Sequence, residues 1–253
     1  MFGTVSKEHF VVPKAARFCV FCRQHVAAWN PYRLGVADFS PFFRRVEPIG
    51  SNVERFSCPS CESTDRERHL FLYLSRLNLL QTLSDATILH MAPERRLGAL
   101  VRSCNPAAYV AGDLIPTGAT IAKIDLENIP YTGAAFDVVI CNHILEHVPS
   151  PVAALREVHR VLKPGGRFIC QTPYASLLAT TFEERRLQSD SDRLFFYGQE
   201  DHVRLFGLDL EALLTQSGFV GRFVRHEELL PDVNAELLGV NEQEPFFDFV
   251  RGQ

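Results

Sequence analysis

Residues 135–173 read AFDVVICNHILEHVPSPVAALREVHRVLKPGGRFICQTP, and their pattern decides the fold. Phe136-Asp137 leads into the apolar run Val138-Val139-Ile140-Cys141, which stops at Asn142-His143. A short β-branched run of this kind predicts a strand buried in a parallel sheet. Beyond a Pro-Ser-Pro start, Val152, Ala153, Leu155, Val158, Val161 and Leu162 recur at helical spacing, with charges on the other face. Lys163-Pro164-Gly165-Gly166 then supplies a cation in the last turn, a residue that cannot continue the helix, and glycines for a tight reversal. Phe168 to Thr172 is a second apolar run. Strand, helix, strand is a right-handed crossover unit, and the fold class is α/β.

Upstream, Ala86 to Ala92 reads as the first strand of the sheet, Ala107 to Asp113 as the second and Ile121 to Asp125 as the third. Pro93 is expected at the first position of a helix, with Glu94 in its first turn. Downstream, Leu208 to Gln216 is an amphipathic helix closed by Gly218, followed by a strand from Phe219 to Phe223. Glu244 to Val250 is the closing strand. Residues 174–200 mix charges with Tyr174, Phe182, Phe195, Phe196 and Tyr197 and lack sheet periodicity, which with the adjoining GQEDHVRLFG suits a lid over a ligand.

Seven cysteines occur, four of them in two CxxC pairs: Cys19 with Cys22, and Cys58 with Cys61. Two such knuckles bring four thiolates to one tetrahedral zinc, structural because no coordination position stays open. These four are preferred as ligands over His25. The long stretch between the pairs is expected to hold ribbon strands, with turns at Asn30-Pro31-Tyr32 and Glu47-Pro48-Ile49-Gly50. Cys104, Cys141 and Cys170 read as small core residues. Three units follow: a zinc-ribbon module over 1–66, a connecting helix over 67–84 and a catalytic domain over 85–253. Arg66, Arg68 and His69 read as a solvated helix start, with contact to a substrate or phosphate as the other possibility.

Composition narrows the partners. The first 82 residues carry 11 Lys/Arg against 7 Asp/Glu and the remainder 15 against 23, so the chain has no general attraction for nucleic acid. No apolar run approaches the roughly 18 residues that span a bilayer, and the opening MFGTVSKEHFVVPKAARF lacks the apolar core of a leader. A cytoplasmic protein with reduced thiols and no membrane partner is expected.

FDVVICNHILEHV followed by LREVHRVLKPGGRFI closely resembles the fourth and fifth strands of class I S-adenosylmethionine (SAM) methyltransferases of the type 11 group. LHMAPE, CPSCESTDR and DHVRLFG further resemble a variant branch with an LHxAPE loop and an N-terminal zinc segment. The resemblance implies a Rossmann-like, seven-stranded, mostly parallel sheet with the last strand antiparallel beside the fifth. It implies S-adenosyl-L-methionine as cofactor, held at the carboxyl ends of the strands. Asp113 would bind the ribose hydroxyls, Asp125 the adenine amino group with Leu126 over the ring, and Asn142 and His143 would lie near the sulfonium. The first loop departs from the family's acid and GxGxG: His90 stands for the acid, Ala92 and Glu94 for glycines. Ala92 can stand in for a glycine where the backbone dihedrals are ordinary, whereas Pro93 fixes φ and removes a donor. Glu94 either holds the SAM ammonium or serves as a helix-dipole carboxylate.

The activity so implied is methyl transfer to a small-molecule acceptor of natural-product or sugar type, with His143, His147 and His202 as candidate bases. Two other readings stand beside it. One is an RNA-base methyltransferase that recognises nucleic acid through the zinc module. The other is a non-catalytic, zinc-dependent interaction protein on a degenerate methyltransferase fold.

Overall fold

The computed structural model describes residues 16–253, so most of the stretch read above for a leader lies outside the described residues. Seven strands form the main sheet: Thr87–Met91 (β1), Ala108–Asp113 (β2), Ala122–Lys123 (β3), Phe136–Ile140 (β4), Leu162–Ile169 (β5), Phe219–Val224 (β6) and Phe246–Arg251 (β7). Their order is β6-β7-β5-β4-β1-β2-β3. The first five pair in parallel, while β7 runs antiparallel to both β5 and β6. Strand order reverses between β1 and β4, where an open parallel sheet leaves a crevice at its carboxyl edge.

Alternation across the sheet builds two apolar layers. Leu89, Val139 and Phe168 face one, and Ile88, Val138, Ile140 and Ile169 the other. Both faces are covered, which is why these strands read as unbroken apolar runs. Helices Asp65–Arg76 (α1) and Arg95–Ser103 (α2) bury their apolar stripes in the second layer. Helices Pro151–Val161 (α3) and Leu210–Gln216 (α4) bury theirs in the first. For α3 the start signal is literal: Ser150 accepts from Ala153 N–H and Pro151 occupies the first turn.

Some local expectations need correction. The third strand is only two residues long, and Asp125 lies beyond it in an isolated bridge with Asn128. Lys163-Pro164-Gly165-Gly166 is part of β5 and is accommodated by a register shift against Phe136–Val138. Pro93 precedes α2, and Glu94 is its N-cap.

The cysteine pairs are brought together as expected; the stretch between them holds the short strand Gln24–His25, antiparallel to Phe18–Cys19, but mostly short helices, Gly35–Asp38, Pro41–Arg45 and Val53–Arg55. Pro48–Ile49, read as a turn, pairs antiparallel with Tyr174–Ala175. Phe43 packs with Tyr197 and Leu205. Gly198, in the left-handed region at φ +85°, ends the helix Asp190–Tyr197, and a Cβ there would meet the Phe43 ring at 2.4 Å.

The start of α1 is not solvated. Thr64 and Glu67 form a reciprocal capping box, and Arg68 and His69 are buried. Arg68 donates to the carbonyls of Ser63, Arg55 (2.7 Å), Leu238 (3.1 Å) and Gly239 (2.6 Å), and lies 4.1 Å over the Trp29 ring. A guanidinium is suited to this, since it presents five donors in one plane and stacks on an indole. Among the described residues, no helix is long and apolar enough to cross a membrane.

Candidate functional site

The loop after β1 is shaped by a borrowed cap. Glu67, from α1, accepts from the Arg96 and Leu97 N–H groups at the start of α2 at 2.8 and 3.0 Å. Glu94 makes no side-chain cap of its own and turns inward. Its Oε2 lies 3.1 Å from His90 Nε2, and its Oε1 accepts from Asn142 Nδ2 at 3.3 Å. Tyr109 Oη lies 2.9 Å from His90 Nδ1. Glu94 can only accept when ionised, so His90 carries its proton on Nε2 and accepts from the tyrosine. Burial alone would raise the Glu94 carboxyl, but the His90 hydrogen bond outweighs it and holds the group below its ordinary value. A fixed carboxylate thus stands at the switch in strand order.

Ala92 does not keep ordinary dihedrals. It sits at φ +42° and donates its N–H to the Gly112 carbonyl at 2.7 Å. The loop after β4 contains a second left-handed residue, His143, at φ +52°. Asn142 Oδ1 accepts from Gln171 N–H at 3.1 Å, and His143 N–H donates to the Gln171 carbonyl at 2.7 Å. His143 Nδ1 faces Glu146 Oε1 at 3.6 Å, while its buried Nε2 has no partner. Burial would raise the Glu146 carboxyl; the facing His143 imidazole and those of His202 and His147 outweigh it and bring it to about 2.

Buried Arg204 holds this loop. It donates to the carbonyls of Leu145 (2.8 Å), Val148 (2.5 Å) and Pro149 (3.1 Å), and Val203 N–H donates to the Glu146 carbonyl at 3.0 Å. His202 is carried along with them. It is buried, and burial lowers its pKa.

A cavity of about 290 Å³ opens at this edge. Ala92, Glu94, Asn142, His143, His147 and His202 all line it. His90 is buried behind Glu94 and does not. Asp113, Asp125 and Leu126 lie at the ends of β2 and β3, outside this cavity. Each acid there commits one oxygen to a backbone N–H two residues on, Ile115 at 2.8 Å and Glu127 at 2.9 Å. These turns fix the carboxylates and leave each a second oxygen.

The opposite wall was missed in the sequence. Tyr32, Phe39, Phe43, Ile49 and Phe56 come from the N-terminal part, read in the sequence as a zinc module, and Arg66, for which substrate contact was the alternative reading, joins them. The aromatic density of that part was the available signal. Residues 178–192 do not line the cavity; from the expected lid Tyr197, Gly198 and Gln199 do, with Asp201, His202, Arg204 and Leu205 of the adjoining GQEDHVRLFG. Phe182 packs instead on Phe42, which also contacts Phe195 and Phe196.

Away from the cavity, the four expected cysteines converge. Cys19 and Cys61 sulfurs are 3.6 Å apart, and those of Cys22 and Cys58 3.9 Å. A tetrahedron with Zn–S arms of about 2.3 Å has edges of about 3.8 Å, so the donor set fits such an ion. Cys141 and Cys170 are core residues as expected, and Cys104 is half-buried.

Residues 83–170 match a family described as "Methyltransferase domain". The match spans β1 to β5, and it is this segment that is similar to a methyltransferase domain. The chain is 46% identical over 57 residues to the ubiquinone biosynthesis O-methyltransferase of Pseudomonas aeruginosa (strain LESB58), covering 21% of this chain and 25% of that protein. It is 46% identical over 46 residues to the demethylmenaquinone methyltransferase of Staphylococcus epidermidis (strain ATCC 12228), covering 18% and 19%. The chain therefore spans a quarter or less of the length of these curated relatives. A solved SAM-dependent methyltransferase from Mesorhizobium loti aligns over 68% of this chain and 94% of its own, at 14% identity and a TM-score of 0.42.

Proposed function

We propose that the protein transfers the methyl group of SAM to a small-molecule acceptor bound in the cavity. The observation that supports this most is the inward-facing, ionised Glu94 at the strand switch, where an acid can hold an ammonium group. In this reading Glu94 takes the SAM ammonium, Asp113 the ribose hydroxyls, and Asp125 with Leu126 the adenine. Asn142 orients Glu94 and lies beside the sulfonium. When bound, SAM supplies an electrophilic methyl group that needs in-line positioning and a dry site more than covalent help.

The acceptor side is Tyr32, Phe39, Phe43 and Phe56 facing the histidines. A cavity of this size and aromatic content suits a small molecule better than a polymer. For a hydroxyl or amine acceptor, His143 is the base. Glu146 beside Nδ1 favours the tautomer with the proton there, so Nε2 is left to take the acceptor's proton. We assign the four cysteines to one structural zinc and place the protein in the reducing cytoplasm, where thiols persist. Calorimetric titration of the full chain with SAM and with its demethylated product tests the reading. Saturable binding of both is expected, and binding of neither would overturn it.

A further inference from the structure

His147 and His202, which the sequence offers as bases, form with Glu146 a second constellation in the cavity. One donor atom from each lies within 4.8 Å of the other two. The rings stand edge-on, with centroids 4.7 Å apart. Their tautomers follow from what faces Nδ1. His202 Nδ1 lies 3.2 Å from the Tyr197 carbonyl, and His147 Nδ1 lies 3.2 Å from the Asp201 carbonyl and 3.4 Å from its carboxylate. These partners can only accept, so each Nδ1 carries the proton and each Nε2 offers a lone pair. Glu146 is buried, and its Oε2 has no partner while Oε1 faces His143. Two imidazoles, each with an Nε2 lone pair to offer, and a carboxylate with an unpartnered oxygen therefore converge.

We infer that Glu146, His147 and His202 bind a divalent first-row transition-metal ion, distinct from the ion at the cysteines. Two histidines and one carboxylate make a facial donor set that leaves coordination positions open. Here they open toward the cavity. The ring nitrogens opposite the donor atoms are already fixed by carbonyls and a carboxylate, the arrangement that orients histidine ligands at metal sites. Backbone support is equally direct: Arg204 and Val203 lock residues 145–149 to 202–204. Metal–ligand bonds of about 2.1 Å put neighbouring donors about 3 Å apart, so binding would draw the three side chains in by about an ångström.

Resting on the methyl-transfer reading, the site names an acceptor class. The open positions suit an acceptor that chelates through oxygen, such as a vicinal diol, a hydroxy acid or a catechol-like ring. A hydroxyl bound to the ion loses its proton more readily, and His143 lines the same cavity.

The test uses the full, zinc-loaded chain with Co²⁺ alone as the probe and no SAM, so that it stands or falls separately from methyl transfer. Expected is one Co²⁺ per chain with weak visible bands and no thiolate-to-cobalt charge transfer. His202→Asn and His147→Gln should each weaken that binding by more than about 100-fold while circular dichroism and the thermal midpoint show a folded protein. The half-exposed His147 is the safer of the two for folding, and the wild-type spectrum is decisive without either. No saturable binding, cobalt showing only thiolate bands, or unchanged affinity in folded His147→Gln would overturn the site.

Discussion

Asn142 Nδ2 donates to Glu94 Oε1 across 3.3 Å, joining the loop after β1 to the loop after β4 on either side of the strand switch. The carboxylate is thereby fixed by two loops, with His90 on its other oxygen. Replacing Glu94 with Gln keeps the shape and removes the charge. SAM affinity should fall by about 2–3 kcal/mol, the worth of a charged hydrogen bond, with the fold intact. Calorimetric titration checks this, and unchanged affinity would return Glu94 to a structural role.

Ala92 is strained where a glycine would not be. A left-handed residue with a Cβ costs about 1–2 kcal/mol. Ala92→Gly should therefore raise stability by about 1 kcal/mol, less the entropy a glycine adds to the unfolded chain. Denaturant unfolding reads the effect directly. A destabilised glycine variant would mean that the methyl group packs usefully despite the dihedral.

The cysteine site should be worth far more than any single hydrogen bond. Metal analysis of the purified chain is expected to give one zinc for the four thiolates, and Cys58→Ser should lose it and destabilise the N-terminal part strongly. Arg68→Lys is a companion variant. A lysine cannot reach four carbonyls in one plane or stack on Trp29, so it should destabilise by about 2–4 kcal/mol although the charge is kept.

His226 and Asp65 should oppose each other in the acid range. Burial first, then the charge of His69, lowers His226 from 6.5 to about 4. Between those values the unfolded chain takes up a proton that the folded chain refuses, so this contribution is lost as pH falls from about 6.5 to about 4. Asp65 runs the other way: burial raises it to about 7, and its contribution is lost as pH rises from 3.8 toward 7. His226→Asn should leave the Asp65 slope exposed, making the variant gain stability relative to wild type on going from pH 7 to pH 5. Parallel pH profiles for the two proteins would show that His226 is not held neutral.

What was legible in the sequence is what local chemistry writes there. Val138 to Cys141, the Ser150-Pro151 start and the two CxxC pairs each carry their structure in neighbouring residues. The chemistry of the first loop was only half legible. Glu94 faces inward because Glu67, far upstream, caps α2 in its place, and no local pattern announces a borrowed cap. Arg68 was misread for a related reason: arginine defaults to solvent, and its carbonyl partners Leu238 and Gly239 are distant in sequence. The wall from Tyr32 to Phe56 was hidden because a cavity is a property of segments that meet, and pairing such as Pro48–Ile49 with Tyr174–Ala175 leaves no mark on either.

The long reach of these contacts sets an order of assembly. Trp29 Nε1 donates to the Glu236 carbonyl, 207 residues further along the chain, and Arg68 waits for two carbonyls just beyond it. While synthesis is still short of that point, Trp29 and Arg68 have nothing to be fastened to, even with the central strands already emerged. Closing so large a loop is entropically slow, which places it late among folding events. A chain ended short of Glu236 could then carry the parallel strands β1 to β5 and a filled cysteine site yet lack both β7 and the fastening of Trp29 and Arg68. Emergence of residues 236–251, which close the sheet and fasten the N-terminal part together, would be the event that makes the molecule competent.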